Sequence, residues 1–116
     1  MNLEEMTAGD TLPIVYKHRI NDEFVNLPEG YDLMFGLRQE DSKSVVTYSY
    51  QSGEIENPEK GVYKKRLDHK FSQSLSGTIV IEMVIYSRDG SFVQHCGSPR
   101  KVKVLPSFMN EHLDIE

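Results

Sequence analysis

Few residues in this sequence have the type and spacing that chemistry requires. Cys96 is the only cysteine, and a thiol nucleophile needs a base within hydrogen-bond reach and a third group to orient that base. His95 and His69 are the candidate bases. His95 directly precedes Cys96 in an expected strand, where consecutive side chains point to opposite faces, so the imidazole cannot activate the thiol. The pattern favours a small, buried Cys96 beside a strand histidine. The four histidines, His18, His69, His95 and His112, form no close-spaced ligand pair with one another or with Cys96 on one face. The glycines match neither Gly-x-Gly-x-x-Gly nor Gly-x-x-x-x-Gly-Lys-[Ser/Thr], so a phosphate-binding loop is not indicated. No catalytic, cofactor-binding or metal-ligating residue is assigned, and the expectation is a protein that is not an enzyme.

Three further features carry charge or aromatic surface. Glu82 interrupts the most apolar stretch of the chain. A carboxylate facing a dry core is costly unless paired, so an outward position with Lys or Arg opposite is expected. The basic runs Lys64-Lys65-Arg66 and Arg100-Lys101-x-Lys103 could form a patch, but charged edge strands are commonly solvated faces that deter edge-to-edge pairing. Tyr16, Tyr48, Tyr50, Tyr63 and Tyr86 fall on expected strands. They could stack sugars or bases, yet Tyr also suits a half-buried sheet, and packing is the expected role.

The elements that must position these groups fit one domain. The chain has 116 residues, 38% hydrophobic and 27% charged, enough for a single core. Its net charge of -5 and pI of 5.3 argue against duplex binding, which rewards a basic face. With one cysteine, no intramolecular disulfide can form and packing must hold the fold. The acidic start Met1-Asn2-Leu3-Glu4-Glu5-Met6 lacks the basic-then-apolar form of a signal peptide, and no run approaches a membrane span. The product is expected to stay in the cytoplasm or to leave as part of a larger assembly.

Period-2 patterning dominates. Leu12 to Ile20 alternates, with Ile14, Tyr16, His18 and Ile20 on one face, and Asn21-Asp22 then supplies turn chemistry. Tyr31 to Arg38 places Tyr31, Leu33, Phe35 and Leu37 inward, and Val45 to Tyr50 resumes the alternation. Gly53 and Asn57-Pro58-Glu59-Lys60-Gly61 break it, leaving Ile55 as the one apolar residue between. Val62 to Leu67 is the next strand. Leu67, Phe71 and Leu75 recur at helical spacing, which predicts a short helical turn within 68–75, stopped by Gly77. Thr78 to Ser87 reads as a strand covered on both faces. Asp89-Gly90 predicts a two-residue hairpin turn into Phe92 to Cys96, and after Gly97-Ser98-Pro99 a last strand spans Arg100 to Leu105 with Val102 and Val104 inward.

About seven strands with turn signals between them predict an all-β, antiparallel β-sandwich over residues 8–106, with 1–7 and 107–116 as flexible termini. The expected core is Ile14, Leu33, Phe35, Leu37, Ile79, Ile81 and Ile85.

Ala8-Gly9-Asp10-Thr11-Leu12-Pro13-Ile14-Val15, Phe35-Gly36-Leu37-Arg38, Leu75-Ser76-Gly77 and the run Glu82-Met83-Val84-Ile85-Tyr86-Ser87-Arg88-Asp89-Gly90 are similar to small immunoglobulin-like domains of tailed bacteriophages and prophages, such as the N-terminal part of baseplate upper proteins. The likeness extends over about residues 8–105. It implies an immunoglobulin-like sandwich that attaches to or decorates a virion part such as a tail, baseplate or head. Those domains usually carry on into receptor-binding or fibre regions, whereas this sequence ends at Glu116. That departure leaves a free-standing accessory protein or a likeness in sandwich pattern alone, and the expected function is structural or protein-binding, with other proteins, phage tail or baseplate subunits among them, as partners. The alternative is a small carbohydrate- or lipid-binding β domain, which a concave tyrosine surface would favour over a flat subunit contact.

Overall fold

A computed structural model describes residues 4–115, and the chain is all-β apart from two short helical turns. The strands are β1 Glu4–Thr7, β2 Leu12–Lys17, β3 Arg19–Ile20, β4 Glu23–Phe24, β5 Tyr31–Gln39, β6 Val46–Ser49, β7 Glu56–Glu59, β8 Val62–Leu67, β9 Gly77–Ser87, β10 Val93–His95 and β11 Arg100–Leu105. The turns are α1 at His69–Ser72 and a 3-10 turn at Asn110–His112.

These strands form three sheets. The large sheet runs β1-β11-β9-β5-β6, with β10 on β9 as well; the second runs β2-β8-β7; β3 and β4 make a hairpin of their own. Pairing is antiparallel except that β1 lies parallel to β11, with Glu4 opposite Val102 and Met6 opposite Val104. Residues 4–7, placed outside the domain by the sequence, thus belong to the large sheet. Met6 and Val104 both reach the core, and burying them is the physical reason for the docking.

One buried cluster draws on both main sheets. Leu12 and Ile14 of β2 and Tyr63 and Leu67 of β8 join Leu33, Phe35 and Leu37 of β5, Ile79, Ile81 and Ile85 of β9, and Val102 and Val104 of β11. Every expected core residue is in it. Ile55, too isolated to suggest a strand, is buried at 3% exposure and leads into β7. Pro58 is tolerated there because β7 is an edge strand with a register shift between Glu56 and Glu59.

Three local expectations need correcting. The alternation through Ile20 does not make one strand: β2 stops at Lys17, and Ile20 is exposed on the β3–β4 hairpin. The Asn21-Asp22 pair closes that hairpin with φ of 52° and 65°, the left-handed conformations a two-residue turn demands. Asp89-Gly90 makes no such turn. Tyr86 pairs with Val93, so Arg88 to Ser91 form a longer loop. In it the Gly90 amide donates to the Ser87 carbonyl at 3.0 Å, and the Asp89 carboxylate accepts from the Ser91 amide at 2.9 Å and the Ser87 hydroxyl at 2.8 Å. Asp89 satisfies the loop with its side chain, and only Gly90 takes positive φ, at 80°. Finally, β9 is covered only in part on its second face. Its odd positions face the core, whereas on the other side Val80 is buried, Thr78, Val84 and Tyr86 are half-buried and Glu82 is exposed.

The helical turn falls at its expected place. Asp68 caps α1 by accepting from the Phe71 amide at 2.9 Å, and Leu67 and Leu75 on either side of it are buried.

Candidate functional site

Cys96 lies just beyond β10, its amide donating to the Met83 carbonyl at 2.8 Å, and its side chain packs half-buried against the core. His95 is exposed on the outer side of the large sheet, opposite Val84, and His69 points its Nδ1 at the Gly9 carbonyl, 2.7 Å away. Neither serves as a base for the thiol. The side chain that does meet it comes from β2: Tyr16 interacts with Cys96, and its hydroxyl sits 3.0 Å from His18 Nδ1. Burial raises the thiol pKa. Burial first, and then Cys96, pushes Tyr16 up to about 12, and burial lowers His18. All three are held toward neutrality, the opposite of what a thiolate nucleophile needs. His112 lies 3.5 Å from Glu111 on the surface. Among the described residues no three His, Cys, Asp or Glu side chains gather as a metal-binding group.

The two basic runs do not merge. Lys64, Lys65 and Arg66 are on β8 and Arg100, Lys101 and Lys103 on β11, in different sheets. Glu54, Glu56 and Asp68 line the same open groove of about 460 Å³ as the first run, and Lys65 sits over the Tyr48 ring at 4.8 Å. In the second run Arg100 meets Glu4 at 2.8 Å and Lys101 meets Glu40 at 3.8 Å. Carboxylates interleave both, so no continuous positive face arises.

The tyrosines serve packing. Tyr63 is 1% exposed, stands edge-on to Tyr50 at 5.1 Å, and its hydroxyl accepts from the Leu27 amide at 2.8 Å. Tyr86 donates to Asp32 at 3.2 Å. Asp32 went unnoticed in the sequence because its even position in β5 reads as an outward, solvated site. It is instead 2% exposed and gathers four donors: the Ser49 hydroxyl at 2.7 Å, the Leu33 and Gln51 amides at 2.8 and 3.0 Å, and the Tyr86 hydroxyl. Neutral donors replace the lost hydration of the carboxylate, and with this one group they join β5, β9 and the turn after β6. Burial, followed by the Asp32 charge, raises the Tyr86 pKa.

What remains is the outer face of the large sheet. Met34, Gly36 and Arg38 of β5 and Val80, Glu82, Val84 and Tyr86 of β9 alternate onto it, and Val93 and His95 extend it through their pairing with Tyr86 and Val84. Val93 is 60% exposed. Gly36 leaves a dimple of about 80 Å³ bounded by Leu37, Arg38, Val45, Val80 and Glu82. Glu82 does point outward, but its partner across β5 is Gly36 rather than a cation. The adjoining β6 edge is partly closed: Glu54 accepts from the Ser49 amide at 3.2 Å while its own amide donates to the Ser49 carbonyl at 3.1 Å.

No family model matches the chain, and no curated protein matches it in sequence.

Proposed function

We propose that this chain is a non-catalytic, immunoglobulin-like β-sandwich that works by protein–protein contact through the outer face of its large sheet, as a structural component of a phage or prophage virion. The strand order supports the fold. Taking β2, β5, β6, β7, β8, β9 and the interrupted pair β10–β11 as strands B, C, C′, D, E, F and G gives one sheet ordered G-F-C-C′ and another ordered B-E-D, the partition that variable-type immunoglobulin domains use. In this reading β1 adds to the G edge and the shared core of the two sheets is the sandwich interior.

The observation that carries the function is the outer face itself: a sheet surface on which Arg38 and Glu82 stand beside the Gly36 dimple, buried Val80 and half-buried Met34 and Val84, with Lys101, Lys103 and Glu5 toward its margin. A sheet face that mixes apolar and charged groups and is left uncovered is a surface a partner can bind. The carbohydrate or lipid alternative has less support, because Tyr63 is interior, Tyr48 is covered by Lys65, and Tyr86 is committed to Asp32.

The test is incorporation. Phage particles purified from a host carrying the gene should contain the protein at fixed stoichiometry by quantitative mass spectrometry, and a folded Val84→Asp variant should be absent from them. Particles lacking the wild-type chain would overturn the virion reading.

A further inference from the structure

We infer that the outer face of the large sheet docks a second copy of this chain, across a two-fold axis running along the diagonal from Gly36 to Val80. The inference rests on the binding-face reading above and names its partner.

The argument begins with four neighbouring positions. Gly36 pairs with Glu82 and Arg38 pairs with Val80, two rungs apart on β5 and β9 with Leu37–Ile81 between, so all four side-chain positions lie on one face as the corners of a small rectangle. The charged residues occupy one diagonal and the uncharged ones the other. A two-fold axis in the interface along the Gly36–Val80 diagonal lays each of those residues over its own copy. It also sets Arg38 of each chain on Glu82 of the other. The patch is self-complementary, as an isologous contact requires.

Both charges are free for that role. Neither is in an ion pair among the described residues, and Arg38 uses only one nitrogen, Nη1, on the Gln39 and Glu40 carbonyls at 3.4 and 3.1 Å. That leaves much of the guanidinium fork for a carboxylate. The absent side chain at Gly36 lets two sheets approach at the axis, and Val45, 56% exposed, gains apolar cover there. Strands of the two copies cross steeply, as in orthogonal face-to-face sheet packing.

Size sets the strength: at about 3.3 Å per residue and about 4.8 Å per strand, β1, β11, β9, β5 and β6 at their own lengths span roughly 540 Å², below the ~800 Å² per partner of a standard interface, which fits a weak, concentration-dependent dimer. Addition of a strand at the β6 edge is the weaker arrangement, because Glu54 already occupies the Ser49 backbone there.

Sedimentation equilibrium of the purified chain from about 1 to 500 µM should show a monomer–dimer equilibrium. Glu82→Arg and Arg38→Glu should each weaken it about tenfold or more by opposing like charges, and the double variant Glu82→Arg/Arg38→Glu should restore it. Val45→Glu, at a site exposed enough to leave folding intact, should also weaken it, and far-UV circular dichroism checks that each variant is folded. A wild-type chain monomeric at 500 µM, or a dimer indifferent to these changes, overturns the inference. Particle incorporation separates the two readings: a monomeric wild-type chain still excluded from particles by Val84→Asp leaves the binding face standing without the second copy.

Discussion

The His18 amide donates to the Gly61 carbonyl at 2.7 Å, and a Cβ on Gly61 would stand 2.9 Å from the His18 carbonyl oxygen and 2.8 Å from the Val25 amide nitrogen. The β7–β8 turn is thus the seat of the β3–β4 hairpin. Gly61 also has φ of 77°, so Gly61→Ala meets backbone on two sides in a conformation that L-residues resist. We expect a loss of about 1–3 kcal/mol from the conformation alone, with the added contacts making it larger. Gly53→Ala, at similar φ but with open space around it, should cost less. Urea denaturation of the two variants checks the order.

Phe35→Ala should cost about 3–5 kcal/mol, the range for deleting a fully buried aromatic side chain, since Phe35 is 1% exposed at the centre of the shared core. A chemical-denaturation midpoint within experimental error of wild type would contradict that placement.

Asp32→Ala would leave the Ser49 and Tyr86 hydroxyls and the Leu33 and Gln51 amides without their acceptor. Only the Leu33 bond is fully buried and the other three are half-buried, so the ~1–3 kcal/mol of an orphaned buried donor applies once, with smaller losses at the rest that do not add simply. Tyr86→Phe removes one donor and leaves three, so it should be much milder. Melting temperatures that rank these two substitutions the other way would show that the carboxylate does not organise this end of the sheet.

Stability should decline at both pH extremes, for different groups. Tyr16 is raised from 10 to about 12, and Cys96, Tyr48, Tyr63 and Tyr86 are raised as well. Folding favours their protonated forms. Their contribution is intact below the unfolded values and is lost as pH climbs through about 9 toward 12. Asp89, lowered to about 2 by hydrogen bonds from Ser91 and Ser87, acts in reverse: its contribution is present above its ordinary value of 3.8 and is lost as pH falls from there to about 2. Burial lowers His18, so its contribution is present above 6.5 and is lost as pH falls through its folded value. Urea midpoints measured from pH 3 to 11 should pass through a maximum near neutrality, and Tyr16→Phe should flatten the alkaline limb.

Cys96→Ala should cost less than about 1.5 kcal/mol, a modest packing change at a half-buried site. With its pKa raised, the wild-type thiol should react with a disulfide reagent at pH 7 more slowly than a free cysteine does. A faster reaction would revive it as a nucleophile.

Period-2 spacing was enough to find the core from Ile14 to Ile85, because burial on one face of a strand leaves that pattern in the residues themselves. It could not find where β2 ends. Ile20 continues the alternation, and only the distant Gly61 and the Asn21-Asp22 turn carry the chain away. The Asp89-Gly90 pair was a true loop signal with the wrong geometry, since Asp89 acts through its carboxylate. Asp32 was illegible for a related reason: its four donors lie up to 54 residues away, and an even position in β5 looks the same whether water or Ser49 and Tyr86 meet it. The outer face was missed because Thr78 to Ser87, read alone, looks fit for burial on both sides.

The parallel pairing of β1 with β11 also bears on how the molecule is made. Glu4 finds its partner only at Val102, so the strand waits until the chain has grown by 98 residues. At about 5–20 residues per second, that interval is roughly 5–20 s, during which Met6 has no sheet to enter and the core lacks Val102 and Val104. Contacts this distant along the chain are slow to form because the loop must close before anything is gained. Closure of the large sheet thereby waits for β11, and a nascent chain arrested before Leu105 would present an unfinished β9 edge to whatever chaperone or neighbouring chain reaches it first.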